Sequence, residues 1–290
     1  MENVPVNTPV RMAYPKVGEV IKVHNEGVQY EVVDCIGEGQ FGIVYGCKDI
    51  WGNDLALKVL KPRDTYERVK EKCAAEMKKL MELRHPYITY VHDTFEHQHA
   101  FCLVTERCSS TLAEMLKVRN FDWHVWLRPI AHCILQAVSF IHSRGYLHQD
   151  IHAGNVFSTY ARNELLPDDK SVIQFKVGDL GISRLVQEVT SESTMAEWMR
   201  PPEILDPRKF GPLDHRIDIY HIGLLFLQIM LGGDIRFTPE EILKGKPGQI
   251  ALSLNIQPGV VVSRALSCNV NERIGSALVL WKELDAALAQ

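Results

Sequence analysis

The chain has 290 residues, 46% of them hydrophobic and 23% charged, with a formal net charge of −4 at pH 7. Those figures describe an ordinary globular protein, long enough for two lobes or domains. They give no reason to expect a nucleic acid as partner, because that role draws on a basic surface.

Seven cysteines stand at positions 35, 47, 73, 102, 108, 133 and 268. The number is odd and no pair is spaced C-x-x-C. Neither a disulfide framework nor a zinc cluster is expected, and a reducing, cytoplasmic setting fits better. The opening Met1-Glu2-Asn3-Val4-Pro5 lacks the basic and apolar regions of a signal peptide. The longest apolar stretch runs from Ile222 to Leu231, interrupted by Gln228. It is far short of the roughly 20 residues that cross a bilayer, so no membrane span is expected.

Residues 1–18 read as an irregular leader carrying Pro5, Pro9 and Pro15. Val20-Ile21-Lys22-Val23 and Val28 to Cys35 then flank Asn25-Glu26-Gly27, a hairpin signal. Phe41 to Cys47 and Leu55 to Leu60 extend the strand-rich region. From Thr65 to Leu83 the period changes, and Val69, Cys73, Met77 and Leu80 form one helical stripe amid charges. Phe101-Cys102-Leu103-Val104 predicts another strand. After Ser109-Ser110 the pattern becomes mostly helical. Trp123 to Ser143 predicts a long helix, and Ile217 to Leu231 is apolar nearly all round, the mark of a buried one. Ser276 to Leu288 predicts a last amphipathic helix. The expected organisation is a leader over 1–18, a β-rich N-lobe with one helix over 19–108, and a mainly helical C-lobe over 109–290. A short linker near 107–111 joins the two lobes.

Five short motifs lie along this framework. In Gly37-Glu38-Gly39-Gln40-Phe41-Gly42, the glycines remove side chains where a backbone must approach phosphates closely. The same pattern opens dinucleotide folds, but there a helix follows, and here the strand-like Ile43-Val44-Tyr45 does. In Ala56-Leu57-Lys58 the lysine sits between apolar Leu57 and Val59, and a charge in that place needs a partner. Glu76 is the first candidate and Glu71, about one helical turn away, its competitor. His148-Gln149-Asp150-Ile151, running on to Asn155, combines two groups. A carboxylate there can take the proton of an acceptor hydroxyl, and an amide oxygen can hold magnesium. Asp179-Leu180-Gly181 adds a second carboxylate, and Pro201-Pro202-Glu203 closes the series. His148 and His152 are spaced like a helical zinc pair. They fall in a loop with no third ligand evident, so His148 reads as a packed residue that holds the loop.

In this order the motifs resemble the eukaryotic-type protein kinase family, in its serine/threonine branch, over roughly residues 30–285. The resemblance implies an α+β, bilobal kinase fold with ATP and magnesium between the lobes. The implied reaction is transfer of the γ-phosphoryl group to a Ser or Thr hydroxyl of a protein substrate. Ile36, Gly37, Gly39, Gly42, Val44 and Ala56 would surround the nucleotide. Lys58, held by Glu76, would meet the α- and β-phosphates. Thr105 would stand at the back of the adenine pocket, with backbone groups of Glu106 and Cys108 on the adenine edge. Asp150 would be the catalytic base, and Asn155 and Asp179 the magnesium ligands. Glu203 would pair with Arg273, and Asp218 would brace the catalytic loop from below.

Several positions depart from the family pattern. Leu180 replaces a phenylalanine but keeps an apolar contact. Gln149 replaces the arginine that reads a phosphate on the activation segment, so activity independent of that phosphate is expected. His152 stands where serine/threonine kinases have lysine, and near Ala196 the family's threonine is missing, with Thr194 close by. His152 is expected to act as a titratable cation beside the transferring group; the alternative is a neutral ring bonding the loop. Asp150-Ile151-His152-Ala153-Gly154-Asn155 also looks like the loop of small-molecule kinases of the aminoglycoside and choline type. Those lack the Pro-Pro-Glu segment and the later Asp218 and Arg273. A pseudokinase or scaffold on the same fold is the other alternative, and the presence of Lys58, Glu76, Asp150, Asn155 and Asp179 argues against it.

Overall fold

The structure, a computed structural model, describes residues 14–23, 27–39, 42–61, 83–162, 171–180, 184–185 and 195–290. The chain divides into two compact units: Met1–Arg84 with Tyr90–Arg107, and His85–Thr89 with Cys108–Gln290. The helical stripe expected from Thr65 onward, with Glu71 and Glu76 on it, falls outside the described residues.

The first unit is built on a six-stranded sheet ordered β1-β2-β3-β4-β6-β5. Its strands are β1 (Val20–Lys22), β2 (Gln29–Glu38), β3 (Gly42–Lys48), β4 (Asp54–Leu60), β5 (Val91–His97) and β6 (Ala100–Glu106), each antiparallel to its neighbour. Strand β4 shows why. Leu55, Leu57 and Val59 alternate with Ala56, Lys58 and Leu60, so one face is buried and the other is not. The buried face joins Tyr45, Cys47, Cys102 and Val104 in a single core with Ile21, Tyr30 and Val32. At one end Arg107 grips Asp34 with two hydrogen bonds, 3.1 and 2.9 Å, fastening the end of β6 to β2.

The second unit is mainly helical. Helix α1 (Leu112–Met115) is closed by a capping box between Thr111 and Glu114. Helix α2 (Trp123–Ser143) starts at Asp122, whose carboxylate accepts the His124 N–H. Short α3 (Pro202–Leu205) and α4 (Pro207–Phe210) precede α5 (Arg216–Leu231). Helix α5 is buried nearly all round, as its uniform apolarity predicts, from Ile217 through Leu227. Each buried Leu, Ile or Phe there contributes about 1.5–3 kcal/mol relative to exposure. The later helices are α6 (Pro239–Leu243), α7 (Lys246–Ser253), α8 (Gln257–Ala265) and α9 (Ala277–Leu288). Ser276 caps α9, the amphipathic helix expected at the end of the chain.

The helical expectation for this region is incomplete. Strand β7 (Ser110–Thr111) joins a long hairpin of β9 (Val156–Arg162) and β10 (Ser171–Val177) in a three-stranded sheet. Strands β8 (Tyr146–Leu147) and β11 (Arg184–Leu185) form a separate pair. Backbone bonds from Val177 to Tyr87 and from Thr89 to Val177, 2.8 and 3.0 Å, tie the 85–89 segment to β10. Among the described residues no helix is long and apolar enough to cross a membrane.

Candidate functional site

The sequence-predicted residues fall into two groups, one on each unit. In the first unit, strand register decides which side chains share a face. Val44 pairs with Lys58, and Lys58 with Leu103; Ala56 pairs with Thr105. Residues directly opposite one another lie on the same side of a sheet. Val44, Ala56, Lys58 and Thr105 therefore line one face, and the apolar core occupies the other. Gly37 joins them opposite Val44. Ile36, beside it on β2, is 48% exposed. The loop closes where the Gly39 N–H donates to the Gly42 carbonyl at 2.9 Å. Gly42 has no room for a side chain, because a Cβ there would lie 2.4 Å from the Val59 carbonyl oxygen. The Glu106 N–H donates to the Tyr90 carbonyl at 3.0 Å. That N–H is thus already engaged within the first unit. Cys108 follows two residues later, half-buried, as the second unit begins.

In the second unit the loop from His148 to Asn155 is held from several sides. Asp218 on α5 is fully buried. Its Oδ2 accepts the His148 N–H at 2.9 Å and its Oδ1 the Gln149 N–H at 2.8 Å. The His142 ring donates to Oδ2 as well, at 2.8 Å. Burial is the largest single influence on the Asp218 carboxyl and pushes it up, but the His142 hydrogen bond, together with the pull of His142 and the neighbouring histidines, outweighs it and holds the pKa down at about 2. Sequence reasoning missed His142, since its partner lies 76 positions away. Gln149 meanwhile adopts a left-handed backbone, φ 66°, which costs a non-glycine residue energy. The two Asp218 hydrogen bonds on either side of that peptide hold it there.

His148 is the pivot of the loop. Its Nδ1 accepts the Asp150 N–H at 3.2 Å, and its Nε2 donates to the Gly178 carbonyl at 3.0 Å. Burial lowers its pKa and keeps the ring neutral, as this donor–acceptor pattern requires. The Gly178 N–H in turn donates to the Asn155 carbonyl at 2.9 Å, which brings the backbone next to Asp179 up to the loop. Asp179 itself has a left-handed backbone, φ 55°.

Asp150 and Asn155 come together directly. The Asn155 amide nitrogen donates to Asp150 Oδ2 at 2.9 Å and to the Asp150 carbonyl at 3.0 Å. With its nitrogen committed, Asn155 has its Oδ1 to offer a cation. The His152 Nε2 stands 3.7 Å from Asp150 Oδ1, a contact rather than a hydrogen bond. Burial raises the Asp150 carboxyl, but the facing Nε2 side of His152 and smaller pulls from His148 and His221 together more than offset it, so the group lies below the usual carboxylate range. His152 also uses its other nitrogen: Nδ1 accepts the Gly154 N–H at 3.0 Å. That bond uses a bare Nδ1, the arrangement that the neutral alternative describes.

Glu203 and Arg273 form the expected pair, with oxygen–nitrogen distances of 2.6 and 2.8 Å, both side chains fully buried. Arg273 further donates to the Arg216 and Ser267 carbonyls at 2.9 and 3.1 Å.

A β-sheet unit carrying a glycine loop and a strand lysine, followed by a helical unit with a braced aspartate–asparagine loop, defines the bilobal α+β architecture of protein kinases. The family model for the protein kinase domain matches residues 30–257, and the chain belongs to that family. Members of this family use ATP and magnesium. The chain is 30% identical over 208 residues to cell division control protein 2 homolog 2 of Trypanosoma brucei brucei, covering 69% of this chain and 56% of that protein. It is 27% identical to cyclin-dependent kinase-like 1 of Caenorhabditis elegans, over 70% of this chain and 55% of the relative. The serine/threonine-protein kinase KIN28 of Saccharomyces cerevisiae is also 27% identical, over 70% of this chain and 64% of the relative. The chain thus spans between 55% and 64% of the length of these relatives.

Proposed function

We propose that the chain is an ATP-dependent protein kinase that transfers the γ-phosphoryl group to Ser or Thr hydroxyls of a protein substrate. The observation that carries this reading is the Asp150–Asn155 pair. Asn155 holds one carboxylate oxygen of Asp150 at 2.9 Å, and the other oxygen faces His152. A carboxylate fixed in this way, and ionised below its usual range, orients an acceptor hydroxyl and takes its proton as the P–O bond forms.

The family's cofactor set agrees with the donors present. The Asn155 Oδ1 and the Asp179 carboxylate are hard oxygen ligands of the kind magnesium prefers. Bound there, magnesium would offset charge on the triphosphate. Lys58 would meet the α- and β-phosphates from the sheet face it shares with Val44, Ala56 and Thr105. The Glu106 carbonyl and Cys108 backbone would meet the adenine edge. Ile36, Gly37, Gly39 and Gly42 would cover the phosphates.

His152 enters as a neutral ring. It caps the Ala153–Asn155 turn through Gly154 and turns its Nε2–H side toward Asp150, so it positions the base. The relatives named as cyclin-dependent or serine/threonine kinases support a Ser/Thr acceptor for this chain.

The test is one assay with ATP and magnesium against two acceptor panels, a generic protein and a set of aminoglycosides and choline. Label on Ser and Thr of the protein supports the reading. Label on the small molecules alone, or ATP binding with no transfer at all, would replace it with the small-molecule or the scaffold reading. Asp150→Asn should lower transfer by roughly 10²–10⁴-fold while nucleotide binding is nearly kept.

A further inference from the structure

His221 on α5 is fully buried and takes no part in the reaction as derived above. Its Nε2 lies 3.0 Å from the carbonyl oxygen of Met199. A carbonyl can only accept, so Nε2 carries the proton and Nδ1 is a bare lone pair. That Nδ1 is buried with no hydrogen-bond partner among the described residues. A buried acceptor left unmet costs stability, so among the described residues the Nε2–H bond to Met199 is what accounts for an imidazole here. Burial also lowers the ring's pKa against the opposing pull of Asp218 and Asp150, in keeping with a neutral ring.

We propose that His221 is a positioning residue. Its Nε2–H pins the turn Glu197–Met199 to α5, and through that turn it sets where the protein acceptor rests against Asp150. The proposal rests on the kinase reading given above.

The turn depends on an outside anchor. Its N-cap, Ala196, makes no side-chain cap hydrogen bond. Met199, whose carbonyl receives the bond, is 1% exposed. Beside it, Trp198 meets the His152 ring nearly edge to face, with centroids 6.3 Å apart. His152 then faces Asp150 Oδ1 at 3.7 Å. A continuous line of contacts thus runs from α5 through Met199, Trp198 and His152 to the carboxylate. Contiguous packing of this kind carries a displacement at one end to the other.

Three variants of the full chain separate the hydrogen bond from the space the ring fills. In His221→Gln the amide nitrogen reaches about as far as the imidazole Nε2 and still donates. In His221→Met and His221→Leu no donor remains, and the unmet Nδ1 goes as well. The donor-free variants should raise KM for a protein acceptor about fivefold, the effect of one neutral hydrogen bond, with KM for ATP unchanged. His221→Gln should stay close to the parent in both. A donor-free variant with a parent-like acceptor KM would overturn the proposal. So would a Gln variant as impaired as the Met variant, or losses shared equally between ATP and acceptor.

Should the donor-free variants not fold, the parent carries the test by long-range ¹H–¹⁵N spectroscopy. His221 must appear as the Nε2–H tautomer with a bare Nδ1, and any other state overturns the proposal. That readout needs no catalysis. A parent with the right tautomer but no protein phosphorylation would sink the kinase reading and leave the Met199 bond standing. An active parent whose Met variant behaves normally would sink the positioning role alone.

Discussion

His152 and Gly154 are joined by one hydrogen bond, with the ring's Nδ1 accepting the glycine N–H at 3.0 Å. A proton on Nδ1 and this bond exclude one another. The position therefore asks for an acceptor rather than a cation. His152→Asn keeps a side-chain oxygen for Gly154 and should retain more activity than His152→Lys, which loses the cap. A lost cap of this kind costs about 1 kcal/mol, or roughly fivefold if it is felt wholly in transfer. A lysine variant more active than the asparagine one would restore the charged role.

Gly42 tests the packing of the glycine loop. A Cβ there meets the Val59 carbonyl oxygen at 2.4 Å and its carbon at 3.1 Å. Both are backbone atoms of the paired strand, so no side chain can swing aside. Gly42→Ala should part β3 from β4 and cost about 1–3 kcal/mol of stability, read by urea unfolding. ATP binding should weaken as well. A variant as stable as the parent would mean that the strands have more slack than their register shows.

The Glu203–Arg273 pair should be costly to break from one side only. Glu203→Gln leaves a fully buried guanidinium without its counter-charge, and about 3–5 kcal/mol should be lost. The double change Glu203→Gln with Arg273→Met should recover part of that loss, because no lone charge remains. A single variant within about 1 kcal/mol of the parent would show that Arg273 is satisfied by the Ser267 and Arg216 carbonyls alone.

The sequence made some of these features legible and hid others for a physical reason. The strands of the first unit declare themselves through local alternation, as in Leu55, Leu57 and Val59. Helix α5 declares itself through unbroken apolarity. The β9–β10 hairpin does not. Val156, Ser158, Phe175 and Val177 alternate toward the buried side, but the two strands meet across the 163–170 stretch, and alternation in one strand does not name its partner. Asp218 was legible by its motif, whereas the histidines that surround it were not. His142 and His221 act on groups 76 and 22 positions away, and no local pattern marks a histidine for a distant carboxylate or carbonyl. The tautomer of His152 was equally hidden, since it depends on where the Gly154 N–H points.

Asp218 should set part of the acid limit of stability. Its folded pKa, about 2, is depressed below the value of about 3.9 for an unfolded aspartate. A group of this kind stabilises the fold fully above the unfolded pKa and loses that effect as pH falls through the folded one. The difference corresponds to about 2–3 kcal/mol, present at neutral pH and fading between about pH 4 and pH 2. Asp218→Asn removes this dependence. The stability gap between parent and variant, followed by urea unfolding from neutral pH down to about pH 2, should narrow toward the acid end. A gap that stayed constant would show that the His142 hydrogen bond does not depend on the ionised carboxylate.

Gln149 bears on regulation. The residue is 1% exposed, and its Nε2 has no hydrogen-bond partner among the described residues. An amide carries no charge, so it cannot make the bidentate ion pair that a phosphate forms with arginine. Transfer should therefore survive phosphatase treatment, whatever phosphate Thr190, Ser191, Ser193 or Thr194 had carried. Gln149→Leu, which removes an unmet polar group at nearly constant volume, should fold at least as stably as the parent. Gln149→Arg should do the opposite, because a buried guanidinium without a counter-charge is costly. If phosphate on the segment can reach this position, phosphorylation should raise the Tm of the arginine variant and leave the parent's unmoved. A parent whose activity vanished with phosphatase and returned after incubation with ATP would show that some other cation reads the phosphate.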